Sequence, residues 1–474
     1  MPKVCGKNRI KRSGTFLILL SMIILMLTLS GCGSSGELTW SVSGAVLSGG
    51  APLAGVTVTL SGPSSGTYIT DASGNYGFGG LAPGTYTVTP SLAGYAFVPT
   101  SRVAYLYGNN ADGFNFNASR GLSGSATNHT LYRKSDGTVW AWGLNNKSQL
   151  GDGTTTSSST PVQSGAGVLS SITAVAAGNE HSLALKSDGT VWGWGSNSNG
   201  QLGNGVTAGS QPSPVPVSVL TNVTAIAAGV NFSLALKGDG SVWAWGYNGS
   251  GQLGDNSIID RWTPVQVGTG GITAIAAGFN HSVAMNSGGT VYTWGDNSKG
   301  QLGTGTTTSS SAPVIAGSGI LAGALAISAG NQFTVALLRN YLSSYLWAWG
   351  SNSNGQLGDG TNVDRYSPVQ VSGLAGMTAI AAGENHAISL NGDGTVWAWG
   401  DNSNGQLGVG TTIPHWTPVQ VNTLTHGQGV IAGYQDSFAA AALGTVWAWG
   451  DNIYGQLGDG SMTDRLSPVS ITLP

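Results

Sequence analysis

The sequence predicts an all-β protein, a seven-bladed β-propeller preceded by a small β-sandwich. Three observations predict it. A Trp-x-Trp-Gly signature recurs seven times after about residue 122. Short apolar–polar alternations are punctuated throughout by Gly, Asn and Asp turns. The chain is 40% hydrophobic with 16 Trp, yet only 8% charged, with 77 Gly in 474 residues. That many aromatics can offset the entropy of ordering a chain, which disordered sequences cannot do.

The first segment is a targeting signal and lies outside the fold. Lys3, Lys7, Arg9, Lys11 and Arg12 form a basic head, and Phe16 to Leu29 an apolar run of 14 residues, short for a membrane span. The run ends in Leu29-Ser30-Gly31-Cys32. This tetrapeptide resembles the lipobox of bacterial lipoproteins. The resemblance implies cleavage after residue 31, acylation of Cys32 and a membrane anchor in the cell envelope. Gly33 stands where an Asp would signal inner-membrane retention, so the outer membrane or cell surface is expected.

Loss of residues 1–31 removes five basic residues and no acidic one, leaving twelve basic against twenty acidic. That balance excludes the basic footprint that nucleic acid requires. Cys5 leaves with the signal and Cys32 carries lipid, so no thiol remains for a disulfide, a zinc site or a nucleophile.

Residues 32–38 read as a tether, and residues 39–118 as a separate unit. Val56, Val58 and Leu60 alternate with Thr57 and Thr59, as in a half-buried strand. Asp71-Ala72-Ser73-Gly74-Asn75 is turn chemistry, and Pro83-Gly84 leads into Thr85-Tyr86-Thr87-Val88. This stretch is similar to the carboxypeptidase regulatory-like domain. The resemblance implies a transthyretin-like sandwich acting as spacer or adhesion module, without peptidase activity.

From residue 119 to the end the repeat dominates. The signature glycines are Gly143, Gly195, Gly246, Gly295, Gly350, Gly400 and Gly450. Eight residues after each comes the Gly of a Gln-Leu-Gly, from Gly151 to Gly458, and ten or eleven residues later a Pro, from Pro161 to Pro468. Most copies also carry an Ala-Ala-Gly seventeen residues before the signature glycine, as at Gly178 and Gly383. Each repeat reads as four strands: Ile-Thr-Ala-Ile-Ala-Ala, His-Ser-Leu-Ala-Leu-Lys, an Asp-Gly hairpin into Thr-Val-Trp-Ala-Trp-Gly, and Pro-Val-Gln-Val. Four strands per repeat, seven times over, describe a propeller with one sheet per blade. The N- and C-terminal strands are expected to share a blade, since the first copy lacks a clear Ala-Ala-Gly strand. These motifs resemble the regulator of chromosome condensation repeats over about 350 residues, which implies a seven-bladed ring.

The recurrent residues read mainly as scaffold. Both Trp of a pair share one strand face and can fill the gap between blades. The Gln of Gln-Leu-Gly can satisfy loop backbone groups. His129, His181, His281 and His386 share one repeat position, replaced elsewhere by Phe232, Phe333 and Asp436. A histidine bonded to a neighbouring turn fits better than a metal ring, because equivalent positions lie far apart. Asp260-Arg261, Asp364-Arg365 and Asp464-Arg465 read as local loop ion pairs, and Asp401-Asn402-Ser403-Asn404-Gly405 as a turn without calcium-loop spacing.

No catalytic constellation, metal site or cofactor is expected. The favoured function is an envelope-anchored monomer that uses propeller loops to bind a protein or glycan. The alternatives are nucleotide exchange on a small GTPase, which the family resemblance implies but export disfavours, and a propeller enzyme acting on an extracellular polymer. Recognition should fall on loops that break the repeat. Copy five inserts Arg339-Asn340-Tyr341-Leu342-Ser343-Ser344-Tyr345 in place of a tight turn, placing Arg339, Tyr341, Leu342 and Tyr345 first as contacts on an exposed tip. Trp262, Tyr366 and Trp416 share one outer loop position in three blades and rank second.

Overall fold

Alternation along the strands before residue 121 builds two sheets around one core. The computed structural model describes residues 39–474 except 49–50, 53–54, 92–94, 99–100, 121, 124–127, 135, 208, 340–342, 425–426 and 442–444. The signal, Cys32 and the tether lie outside the described residues. One sheet contains β1 (Trp40–Ser48), β2 (Ala51–Pro52), β5 (Asn75–Leu81), β7 (Tyr95–Val98) and β9 (Phe116–Arg120); β1 runs parallel to β9. The other runs in the order β4 (Gly66–Ile69), β3 (Thr57–Ser61), β6 (Gly84–Ser91) and β8 (Arg102–Leu106). Val58 and Leu60 of β3 point inward to meet Val42, Tyr86, Val88 and Phe116, while their neighbours on the strand point out. The turn before β5 forms as its chemistry dictates. The Asp71 carboxylate accepts from the amides of Ser73 and Asn75, both at 2.9 Å.

Seven four-stranded antiparallel sheets follow, each consecutive in sequence: residues 122–164, 172–216, 223–266, 272–315, 324–370, 377–420 and 427–471. These are blades 1 to 7. The strand order within each is the one the repeat predicts, and the first strands of successive blades touch around the axis. The expected shared blade is not formed. Leu122–Ser123 supplies a short first strand to blade 1, paired with Leu131 and Tyr132. The C-terminal strand Arg465–Ile471 completes blade 7 from within its own repeat.

Ring closure is carried instead by the contacts that join every other pair of blades. The second Trp of each signature is fully buried and donates its indole N–H to the main-chain carbonyl of the Gln in the preceding blade's Gln-Leu-Gly. All seven bonds form, at 2.8 to 3.0 Å. At the closing seam Trp142 of blade 1 bonds Gln456 of blade 7 at 2.8 Å and packs against Phe438, Val446, Leu457 and Ile471. The same carbonyl usually takes a second bond from a hydroxyl one residue past the histidine position. Ser182, Ser233, Ser282, Thr334, Ser437 and Thr130 all donate in this way, at 2.8 to 3.0 Å.

The histidines complete this seam. His129, His181, His281 and His386 place Nε2 at 2.8 to 3.0 Å from the hydroxyls of Ser182, Ser233, Thr334 and Ser437 in the following blade. Each hydroxyl has one proton and gives it to the Gln carbonyl, so Nε2–H must be the donor, which fixes the tautomer. Burial holds the rings neutral, pulling His129 and His181 to about 3 and His281 and His386 to about 4. Where the position is Phe333, the next blade carries Ala387 and no hydroxyl is stranded.

Glycine is required where this seam is tightest. Gly303 has φ of +69°, and a Cβ there would lie 2.8 Å from the Trp349 indole nitrogen. The Gln side chain caps its own loop, as when Gln149 Oε1 accepts from the Lys147 amide at 2.8 Å.

Candidate functional site: the channel mouth and the outer strands

Two ends of the propeller follow from strand direction. The turn from first to second strand and the long loop from third to fourth strand share one end. The Asp-Gly hairpins and the links between blades share the other. The first strand of blade 1 runs from the hairpin end, so the chain enters from the sandwich opposite the long loops.

At the long-loop end the turns after Ala-Ala-Gly rim the central channel. The residue after that glycine in one blade donates its amide to the carbonyl of its counterpart in the next. Asn179 bonds Val230 at 3.2 Å, Val230 bonds Phe279 at 3.4 Å, Phe279 bonds Asn331 at 3.3 Å, Asn331 bonds Glu384 at 3.2 Å and Glu384 bonds Tyr434 at 3.0 Å. Spaced ~4.8 Å apart on a circle of sevenfold pitch, these six residues face across an opening about 11 Å wide between Cα atoms. Side chains below the rim are excluded by backbone, since a Cβ on Gly383 would lie 2.5 Å from the Gly433 carbonyl oxygen. The cavity at this mouth is lined by Asn179, Val230, Phe279, Asn331, Glu384 and Tyr434.

Glu384 is the carboxylate among the residues lining this cavity. Its carboxylate accepts from Gln435 Nε2 at 3.1 Å and from the Tyr434 hydroxyl. Burial raises its pKa, and these two bonds oppose the shift. Repeat reading passed over the rim because its side chains follow no repeat pattern, with Asn, Val, Phe, Glu and Tyr all at one position. The only available signal was position, directly after Ala-Ala-Gly.

The recurrent polar groups are spent on structure. The Asn four residues before each Gln is fully buried in all seven blades. Asn248, for example, accepts from the Leu253 amide at 2.9 Å and donates to the Ser257 and Ile259 carbonyls. Sequence reading treated these segments only as turns, although sevenfold recurrence of the Asn was visible. The expected loop ion pairs form with a different partner. Arg261, Arg365 and Arg465 reach Asp255, Asp359 and Asp459 of the preceding Gln-Leu-Gly-Asp at 2.6 to 2.8 Å. The adjacent Asp260, Asp364 and Asp464 instead accept from the amides of Asn248, Asn352 and Asn452. Among the described residues no group of three or more His, Cys, Asp or Glu could hold a metal ion.

The two sets of expected contact residues do not meet. Trp262, Tyr366 and Trp416 lie in the fourth strands at the long-loop end, 52%, 46% and 44% exposed. They sit over the turns of preceding blades at Gly200, Gly300 and Gly355, and so cover blade edges as well as facing solvent. Leu466 takes the same place in blade 7 and Ser159 and Ser311 in blades 1 and 4. Tyr366, Trp416 and Leu466, with exposed Val363, Ile413 and Met462, make an apolar arc on blades 5 to 7.

The blade 5 insertion is at the hairpin end. Tyr341 and Leu342 lie outside the described residues. Tyr345 is not on a free tip, because the extra residues lengthen the ladder, pairing Leu338 with Tyr345 and Arg339 with Ser344. Tyr345 is half-buried, and the Ser344 hydroxyl donates to the Met377 carbonyl of blade 6 at 2.6 Å.

Residues 123–430 match the family model of the RCC1-like domain. The chain belongs to that family. The RCC1-like domain is followed by a further RCC1 repeat match at 444–474 and preceded by a carboxypeptidase regulatory-like domain match at 41–116. It is 34% identical over 248 residues to the ultraviolet-B receptor UVR8 of Arabidopsis thaliana, covering 51% of this chain and 56% of that protein. It is 35% identical over 137 residues to human protein RCC2, 29% of this chain and 26% of that one. The match thus spans about half of one relative and a quarter of the other. Among solved structures, human WBSCR16 superposes with a TM-score of 0.64 at 23% identity, over 71% of this chain and 94% of that one. Yeast RCC1 (Prp20), solved bound to Kap60, gives 0.63 at 23% identity, over 74% and 85%. At that identity the RCC1-like fold is what is shared.

Proposed function

We propose that this RCC1-like protein is an exported, lipid-anchored binding protein that presents the long-loop end of its propeller to a protein partner. The observation that carries this is how the repeat distributes its chemistry. Recurrent His, Ser, Asn, Gln and Arg side chains are consumed in seams and loops. What varies and stays accessible at that end is the rim of the channel and the apolar arc. A fixed frame with differing exposed residues suits recognition better than catalysis. A yeast RCC1 solved with a protein bound to it supports the same reading.

Two experiments test it. Cys32→Ser should move the protein from the membrane to the soluble fraction with residues 1–31 still attached. A variant that stays membrane-bound removes the anchor. For the surface, partners captured from the cell envelope should be rebound to a Tyr366→Ser, Trp416→Ser double variant. Serine is native at this place in blades 1 and 4. The melting temperature should therefore hold while affinity falls by about 2 kcal/mol or more, as for a hot spot. Unchanged affinity takes the arc out of the interface.

A further inference from the structure

The rim described above joins blades 2 to 7 by backbone bonds and carries a varied set of side chains, and its width decides what can enter. An opening about 11 Å across between Cα atoms, narrowed further by side chains, admits one side chain and no folded element. Glu384 is half-buried in its wall. A carboxylate offers about four acceptor sites, and Gln435 and Tyr434 take two of them. The remaining sites are open to a ligand donor. Phe279 and Tyr434 line the same cavity as half-buried aromatics.

Charge at this end points the same way. The turns and long loops here, with the first residues of the fourth strands, carry twelve carboxylates against five basic side chains, with Asp451 buried and Asp255, Asp359 and Asp459 nearly so. Three of the five are the arginines already paired to Asp255, Asp359 and Asp459. The hairpin end carries four acidic residues against five basic ones. The propeller is therefore polarised, and its acidic end is the one with the cavity. A field of that sign steers cationic partners toward this end.

We infer that the channel mouth is a receptor for the guanidinium group of an arginine on a basic segment of the partner, with Glu384 as its counter-ion and Phe279 and Tyr434 as its walls. Arginine fits better than lysine for two reasons. Its planar fork can meet both oxygens of a carboxylate, and its faces stack on aromatic rings. Lysine offers a point charge that stays better hydrated. The inference deepens the binding function proposed above and rests on it.

The test uses the full chain and the capped tripeptide acetyl-Gly-Arg-Gly-amide, followed by ligand-observed NMR. Its citrulline analogue keeps the shape and loses the charge, and a lysine analogue keeps the charge and loses the fork. The arginine peptide should bind, the lysine peptide more weakly, and the citrulline peptide not detectably. Glu384→Gln keeps the size of the side chain and should weaken arginine binding roughly tenfold or more, the scale of a hydrogen bond to a charged group. Phe279→Ala should weaken it less. Tyr105→Ser, an exposed site on the sandwich, should leave it unchanged.

Equal binding of the citrulline peptide overturns the inference, and so does an unaltered affinity in a Glu384→Gln variant of native melting temperature. If the peptide fails to bind while envelope partners are still captured, the mouth is excluded and the binding function stands. If neither peptide nor partner binds, both readings fall.

Discussion

Truncating Trp142 to alanine should destabilise the propeller by about 3–5 kcal/mol, the range for removing a large buried aromatic. Trp142 lies at the seam where the last blade meets the first. Its ring fills a pocket of blade 7 side chains, and its N–H reaches the Gln456 carbonyl at 2.8 Å. That carbonyl would keep its bond from Thr130, also at 2.8 Å, so most of the loss is packing. With no strand shared between the chain ends, this side chain and the bond from the Gly460 amide to the Ser159 carbonyl are principal ties of the closure. The equivalent Trp245→Ala, between blades 2 and 3, removes the same contacts from an internal seam. Thermal or urea unfolding should show Trp142→Ala to be at least as damaging as Trp245→Ala. A loss under about 1 kcal/mol at Trp142 would show that closure depends on something else.

Stability should also fall steeply as pH drops from 6.5 toward 4. The four seam histidines are held neutral, with folded values of about 3 to 4, while an unfolded histidine titrates near 6.5. Below 6.5 the unfolded chain gains protons that the folded chain refuses, so each ring withdraws stability as pH falls through this window. For His281, on the order of 3 kcal/mol should be lost by pH 4. His281→Phe is a conservative probe, because Phe232 and Phe333 occupy the position in blades 3 and 5. The variant should be about 1 kcal/mol less stable near pH 7.5, where the bond to Thr334 is lost. It should become the more stable protein near pH 4. Parallel stability curves for the two proteins would refute this.

Asp436 tilts the curve the other way. It stands in the histidine position of blade 7, buried, with neither carboxyl oxygen bonded within the described residues. Burial pushes its pKa well up, and the nearby Asp451 carboxylate adds to the shift. Its folded value exceeds its unfolded one, so stability declines as pH rises above about 4. Asp436→Asn should flatten that decline.

Most of the frame was legible because a repeat reports its own geometry. The spacing from Trp-x-Trp-Gly to Gln-Leu-Gly to Pro gave four strands per blade and seven blades. A histidine position that is Phe in two copies showed that the imidazoles are structural. The Arg261, Arg365 and Arg465 pairs were legible as local, but their partners were misassigned to adjacent Asp residues. An adjacent pair on a strand points to opposite faces, and the true partners six residues earlier are brought close only by the folded loop.

The rim around Glu384 was not legible. Its members are Asn, Val, Phe, Asn, Glu and Tyr, each alone unremarked and joined only by backbone bonds between blades. The Tyr345 segment misled for a related reason. An aromatic insertion reads as an exposed tip, whereas the available ladder positions opposite Leu338 and Arg339 extended the hairpin instead. The sequence alone determined strand order, blade number and which residues hold the seams, because these follow from local periodicity and identical repetition. Tertiary structure alone decided how the ring closes and which unlike residues meet at its axis. Those contacts join positions about fifty residues apart, or at opposite ends of the chain, and leave no pattern within any one repeat.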